Sequence, residues 1–207
     1  MPSESMTHYG PPLLAFGLAT LIASLELITS KYPRTYFLLR RSWALYTYAL
    51  IYGLIGFGVM LGLRLLLQAG VVKLEGLGLS SPWVQSLTIG VSIKAFLHIR
   101  LYSVGVGAQS FPVGIETIVQ IFEPWLLRTI ELDHYSAGRE FIGPRVDKFS
   151  DLNAVKASIT ANIPGTFSNE ERAGFLVGVG KATTVTEAME LYLGFLGKRN
   201  FDRVFPT

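Results

Sequence analysis

The sequence predicts an all-α membrane protein, with about three transmembrane helices followed by a small helical cytoplasmic domain. Three observations carry that expectation. Two apolar stretches, Pro11 to Ser30 and Trp43 to Gln68, each reach the roughly 20 residues a helix needs to cross about 30 Å of hydrocarbon. Half of the 207 residues are hydrophobic and only 16% are charged, which is too apolar for an ordinary soluble domain. From about Asp133 onward charged and turn residues return (Arg139, Glu140, Arg145, Asp147, Lys148), and no later run is long enough to span a bilayer. The expected division is a transmembrane domain over 1–108, an amphipathic juxtamembrane connector over 109–132, and a cytoplasmic helical domain over 133–207. So small a domain buries little core by itself, and is expected to lean on the membrane helices or on further copies.

The basic linker between the two stretches, Lys31 to Ser42, carries Lys31, Arg34, Arg40 and Arg41, whereas the residues before Pro11 carry no Lys or Arg. The positive-inside rule then puts the N-terminus outside and the linker in the cytoplasm. With no A-x-A-like site after the first apolar run, that run is expected to stay as an anchor and not to be cleaved as a signal peptide. Ala69 to Pro82 contains Lys73 as its one basic residue and Gly70, Gly76, Gly78 and Pro82 as breakers, and suits an external loop. The third apolar segment, Trp83 to Ile99, is interrupted by Lys94 and His98 and closed by Arg100. It is read as a third span running inward, with re-entry as the alternative.

Beyond Gly105-Val-Gly107, Pro112 is expected to open an amphipathic helix with Ile115, Ile118, Val119, Phe122, Trp125, Leu126 and Ile130 on one stripe. Pro124 should kink or break it. The last part reads as three short helices: Asp151 to Ile163, one capped by Ser168 with Glu171, and one capped by Thr184 with Glu187. Gly197 and Lys198-Arg199 suit the end of the last of these, by φ freedom and by charge against the helix dipole.

Composition excludes several chemistries. The chain has no cysteine, hence no disulfide framework, thiol nucleophile or thiolate metal site. The three histidines are scattered and no H-E-x-x-H is present, so neither a metal nor a cofactor is expected. Net charge is +3, with most cations flanking apolar segments, which gives no direct nucleic-acid signature. The glycines from Gly174 to Lys181 have the wrong spacing for a phosphate loop and fit a packed helix.

Among residues that bear on function, Glu26 lies within the first span, where a carboxylate is expensive. Lys31 or Arg34 offers a structural partner, and ion or proton handling is the other reading. Gln85, Thr88 and Ser92 follow helical spacing as a polar stripe, either bonded to a neighbouring helix or lining an aqueous path. Gly58 and Gly62 form a G-x-x-x-G that permits close helix approach. Arg139, Arg145, Lys148, Lys181, Lys198, Arg199 and Arg203 are candidates for contacts with an anionic ligand or with anionic lipids.

The run Leu25-Glu-Leu-Ile-Thr-Ser-Lys-Tyr32 closing the first helix resembles the E-L-[IV]-S-[RK]-Y pattern of an uncharacterised group of small bacterial membrane proteins. In that group a basic residue ends the third span, and a V-G motif and a helical C-terminal domain follow. Lys94, Val104-Gly105-Val-Gly107 and Phe111-Pro112-Val-Gly114 stand here in corresponding order. The resemblance implies the bacterial inner membrane and no established activity. In layout the chain is also similar to membrane effectors of bacterial anti-phage systems, in which a few spans oligomerise and a cytoplasmic domain senses a nucleotide-type signal or a partner.

The leading expectation is a homo-oligomer, guessed as a tetramer, whose spans form a gated pore or perturb the bilayer under control of the cytoplasmic domain. The alternative is a non-conducting anchored scaffold that recruits a soluble protein. An intramembrane enzyme, which would need Glu26, Lys94 or His98 to converge with a second polar group, ranks third; the chain is read as not being an enzyme.

Overall fold

A computed structural model describes residues 4–72, 81–97, 102–106, 109–113 and 115–207. Lys73, Gly76, Gly78, His98, Arg100, Gly107 and Gly114 lie outside the described residues, and the expectations resting on them go no further. The described chain is helical except for one hairpin. In order it forms α1 (Glu4–Lys31), a 3₁₀ helix (Tyr36–Arg41), α2 (Trp43–Gln68), α3 (Pro82–Leu97), β1 (Tyr102–Val106), β2 (Gln109–Val113), α4 (Ile115–Val146), α5 (Leu152–Ala161), α6 (Asn169–Lys181), α7 (Val185–Leu196) and α8 (Lys198–Val204).

The chain divides into two compact units, one of residues 1–30 and 43–130, the other of 31–42 and 131–207. The linker between the apolar helices therefore belongs with the C-terminal part, and the division falls inside α4 where the sequence suggests a separate connector over 109–132. Two corrections concern that stretch. Pro112 does not open a helix: it stands in β2 opposite Ser103, a place proline accepts because a two-stranded ribbon consists of edges. Pro124 does not end its helix, since α4 runs on past it to Val146, with Pro124 and Pro144 each leaving a backbone donor missing.

In the first unit, α1 from Tyr9 to Lys31 and α2 are long and apolar enough to cross a membrane. Small residues bring them together. Ala15, Ala19 and Ala23 recur every four residues on α1 and are fully buried. Facing them on α2, a Cβ on Gly56 would sit 2.9 Å from the Ala19 Cβ, and one on Gly53 only 2.2 Å from the Thr20 hydroxyl. The G-x-x-x-G glycines, Gly58 and Gly62, have nothing within 4 Å of such a Cβ, so the close approach is made one turn earlier. Helix α3, at 16 residues about 24 Å long, lies along α1 in the same direction. Trp83 meets Gly10, Gly90 meets Leu18 and Ala15, and Lys94 meets Glu26.

The second unit has its own core. Ile142 of α4, Val155 and Ile159 of α5, Phe175 and Val179 of α6, Met189 and Tyr192 of α7, and Phe201 and Phe205 around α8 pack with Leu38 of the 3₁₀ helix. The linker thus supplies core to a domain that is small without it. Asp151 caps α5, and Ser168 with Glu171 forms a reciprocal capping box on α6. Thr184 accepts from the Glu187 N–H, while the Glu187 carboxylate reaches back to the Thr183 N–H at 2.8 Å. Gly197 takes φ +75°, a left-handed conformation that glycine adopts without strain. Lys198 and Arg199 follow it as the start of α8, where the sequence places them at a helix end.

Candidate functional site

The four helices of the first unit converge on a chain of ionisable side chains. The Glu26 carboxylate of α1 lies 2.8 Å from the Lys94 ammonium of α3. That ammonium sits 5.6 Å from the centroid of the Tyr52 ring on α2, where the negative ring face attracts it. Tyr52 and Tyr48, buried with ring centroids 4.8 Å apart, both donate to one oxygen of Glu123 on α4, at 3.1 and 3.2 Å. Glu26 pairs with the ammonium and Glu123 accepts from the two phenols, so among the described residues, with both carboxylates ionised, the cluster carries one net negative charge. Its chemistry favours a cation or a mobile proton over an anion.

The cluster corrects the reading of Glu26. Neither Lys31 nor Arg34 is its partner: Lys31 lies 3.8 Å from Glu131, and Arg34 donates to the Phe195 carbonyl. Sequence spacing misses the pair because the partner is 68 positions away. The one available hint is that a carboxylate and an ammonium on apolar helices each need a counter-charge. Tyr48 and Tyr52 are both buried, on a helix whose hydropathy alone does not distinguish its inner from its outer aromatics.

The polar stripe divides. Gln85 is buried together with Ser86, Ile89 and Ile93. Thr88 is half-buried, and its hydroxyl donates to the Val84 carbonyl at 2.9 Å. Ser92 is also half-buried. Ser86, fully buried and donating to the Pro82 carbonyl at 2.8 Å, is the hydroxyl the spacing argument overlooks.

The candidate anion contacts also separate. Arg145 is buried, bonded to Asp202 at 2.6 Å and to the Phe205 and Phe141 carbonyls at 2.8 and 2.7 Å. It is a core residue and not a surface contact. Arg139 lies 3.8 Å from Glu190. Lys148 and Lys181 are exposed. Lys198 and Arg199 instead border one open hollow of about 530 Å³ together with Arg34, which spacing does not connect to them.

A second cavity of about 100 Å³ is lined by Thr35, Leu38, His134 and Glu190 among others. His134 Nε2 is 2.8 Å from the Thr35 hydroxyl and its ring lies 4.6 Å from that of Tyr32. Burial lowers its pKa from the ordinary value, because the charged ring loses solvation. Burial likewise raises that of Glu190, with Arg139 opposing and Glu187 reinforcing. Among the described residues no group of three or more His, Cys, Asp or Glu could hold a metal ion. Compared with family models, with curated proteins and with solved structures, the chain finds no match.

Proposed function

We propose that the chain is a homo-oligomeric bacterial inner-membrane effector that conducts cations or perturbs the bilayer under control of its second unit, as the layout of anti-phage effectors suggests. The observation that carries this reading is the Glu26–Lys94 pair. The Glu26 side chain is 53% exposed on helices whose outer faces present Leu21, Leu25, Leu54, Leu87 and Val91. A carboxylate on such a surface is costly against lipid, so a second copy or water should cover it. The net negative charge of the cluster favours cations.

Membrane insertion is supported by exposure: only 22% of each apolar window is buried inside the protein, unlike the core helix of a soluble domain. The positive-inside rule supports a cytoplasmic linker. The grouping of residues 31–42 with 131–207 in one unit supports a C-terminal part on the linker's side of the membrane. If α2 leaves that side, the chain between 69 and 130 must return to it. The parallel course of α1 and α3 makes α3 the natural third crossing, although it is short of a full hydrocarbon thickness.

The test is cation flux into vesicles containing the full chain and its Glu26→Gln variant. Flux that falls in the variant while assembly is kept supports the reading. Equal flux, or none in either with insertion and activating conditions verified, removes it.

A scaffold that conducts nothing is favoured by the Thr88 hydroxyl bonding to its own helix and the Gln85 side chain being buried, since an aqueous path needs such groups turned outward. Under that reading a soluble protein co-purifies with the full chain and is lost on substitution of exposed residues of the second unit.

A further inference from the structure

We propose that the hollow bordered by Arg34, Lys198 and Arg199 is a binding site for a phosphate group, presented by a lipid headgroup or by a soluble phosphate compound. The inference goes beyond the pore reading and rests on the geometry of the second unit alone.

Three cations border the hollow, with Tyr36 and Phe37 as aromatic walls and Asp202 as the one carboxylate. That carboxylate is held by the buried Arg145 at 2.6 Å, so it does not offset the other three. Arg199 makes no ion pair among the described residues, and Lys198 lies over the Phe37 and Phe141 rings at 5.5 and 5.7 Å with no carboxylate partner. Arg34 is fixed by its bond to the Phe195 carbonyl and by the Phe167 and Phe195 rings at 5.3 and 5.4 Å.

The chain is also shaped to bring these residues together. Gly197 has a positive φ, and a Cβ there would stand 3.0 Å from the Arg34 carbonyl oxygen. Glycine therefore allows the linker backbone to lie directly on the α7–α8 junction, placing Arg34 beside Lys198 and Arg199. Guanidinium forks match phosphate oxygens, and several cations converging on one volume suit a multiply charged oxyanion better than a single carboxylate. About 530 Å³ accommodates a headgroup or a small phosphate ester.

The experiment is thermal unfolding of the full chain in neutral detergent with three probes: inorganic phosphate, short-chain phosphatidylglycerol, and short-chain diacylglycerol as the phosphate-free control. Saturable stabilisation is expected, with affinity roughly tenfold weaker in Arg199→Gln. Lys198→Gln serves as a second variant should the first fold poorly, and Lys181→Gln, an exposed cation away from the hollow, should bind as the parent does. A response to phosphatidylglycerol alone assigns a lipid source, and a response to inorganic phosphate as well assigns a soluble one. Either supports the site. No saturable response to phosphate or phosphatidylglycerol, an equal response to diacylglycerol, or an equal loss in Lys181→Gln overturns it.

Discussion

The Glu26 carboxylate lies 2.8 Å from the Lys94 ammonium and joins the linker-proximal end of α1 to the last part of α3. Removing one partner leaves the other charge in an apolar setting, which should cost more than removing both. Because Glu26 is about half exposed, the expected loss for Lys94→Met is about 1–2 kcal/mol. The double variant Glu26→Gln with Lys94→Met should recover part of it. Unfolding in a lipid-like detergent measures these two and the single Glu26→Gln variant, and strictly additive losses would show that the pair is not coupled.

The glycines of α2 allow a sharper contrast. A Cβ at Gly56 would meet the Ala19 Cβ at 2.9 Å and the Ala15 carbonyl at 3.1 Å, whereas one at Gly58 or Gly62 meets nothing within 4 Å. Gly56→Ala should therefore destabilise the protein by roughly 1–2 kcal/mol, overpacking outweighing the better helix propensity of alanine. Gly58→Ala and Gly62→Ala should leave the protomer unchanged or slightly more stable. Larger residues at both outer positions separate the protomer from its assembly. If Gly58→Leu with Gly62→Leu leaves unfolding intact but reduces the oligomer seen by crosslinking, these glycines face another copy. An unchanged oligomer would exclude that face.

Residue pattern made some elements legible and not others, for physical reasons. The α2 bounds follow from hydropathy alone, since Trp43 to Gln68 has no interior breaker except glycine, which apolar helices tolerate. The Ser168–Glu171 box and the Gly197 turn are equally local, depending on a few adjacent residues. Pro112 does not open a helix and Pro124 does not break one, because context overrides the local rule. A ribbon edge accepts the first, and packed neighbours such as Leu126 and Ile130 carry α4 past the second. The Glu26–Lys94 pair and the joining of Arg34 to Lys198 and Arg199 depend on contacts between distant segments, which no spacing rule encodes. Core membership of Leu38 is hidden for the same reason, since it lies in a short basic linker.

His134 should make stability depend on pH in a defined direction. Burial holds its pKa below the ordinary 6.5 in the folded chain, so below 6.5 the unfolded chain binds more protons than the folded one. The stabilisation is fully present above 6.5 and is lost as pH falls toward the folded value. Glu190 lines the same cavity, and its raised pKa acts with the opposite sign: it favours folding below the unfolded value of 4.5, and that favour is lost as pH rises from there through the raised folded value. Melting of the full chain between about pH 7.5 and 5.5 covers the His134 window. His134→Gln retains a bonding group for Thr35 but does not titrate, so it should flatten the slope there. An identical slope in parent and variant would place the pH dependence elsewhere.

Arg145 is predicted to be the least replaceable cation in the second unit. Its Nη2 bonds Asp202 at 2.6 Å, its Nε the Phe205 carbonyl at 2.8 Å and its Nη1 the Phe141 carbonyl at 2.7 Å. The guanidinium also lies 4.4 Å from the Phe141 centroid and 5.3 Å from that of Phe201. Three acceptors in three directions match a planar fork and not a single ammonium. Arg145→Met should cost roughly 3 kcal/mol, because two carbonyls and a carboxylate lose their donor at once. Arg145→Lys should lose about half as much, keeping the charge but satisfying fewer acceptors. Asp202→Asn should cost about 1 kcal/mol, since the Asp202 side chain is 38% exposed and water compensates in part. Unfolding of the full chain ranks the three, and a lysine variant as stable as the parent would mean that charge alone, without the fork geometry, holds α4 to the C-terminal helix.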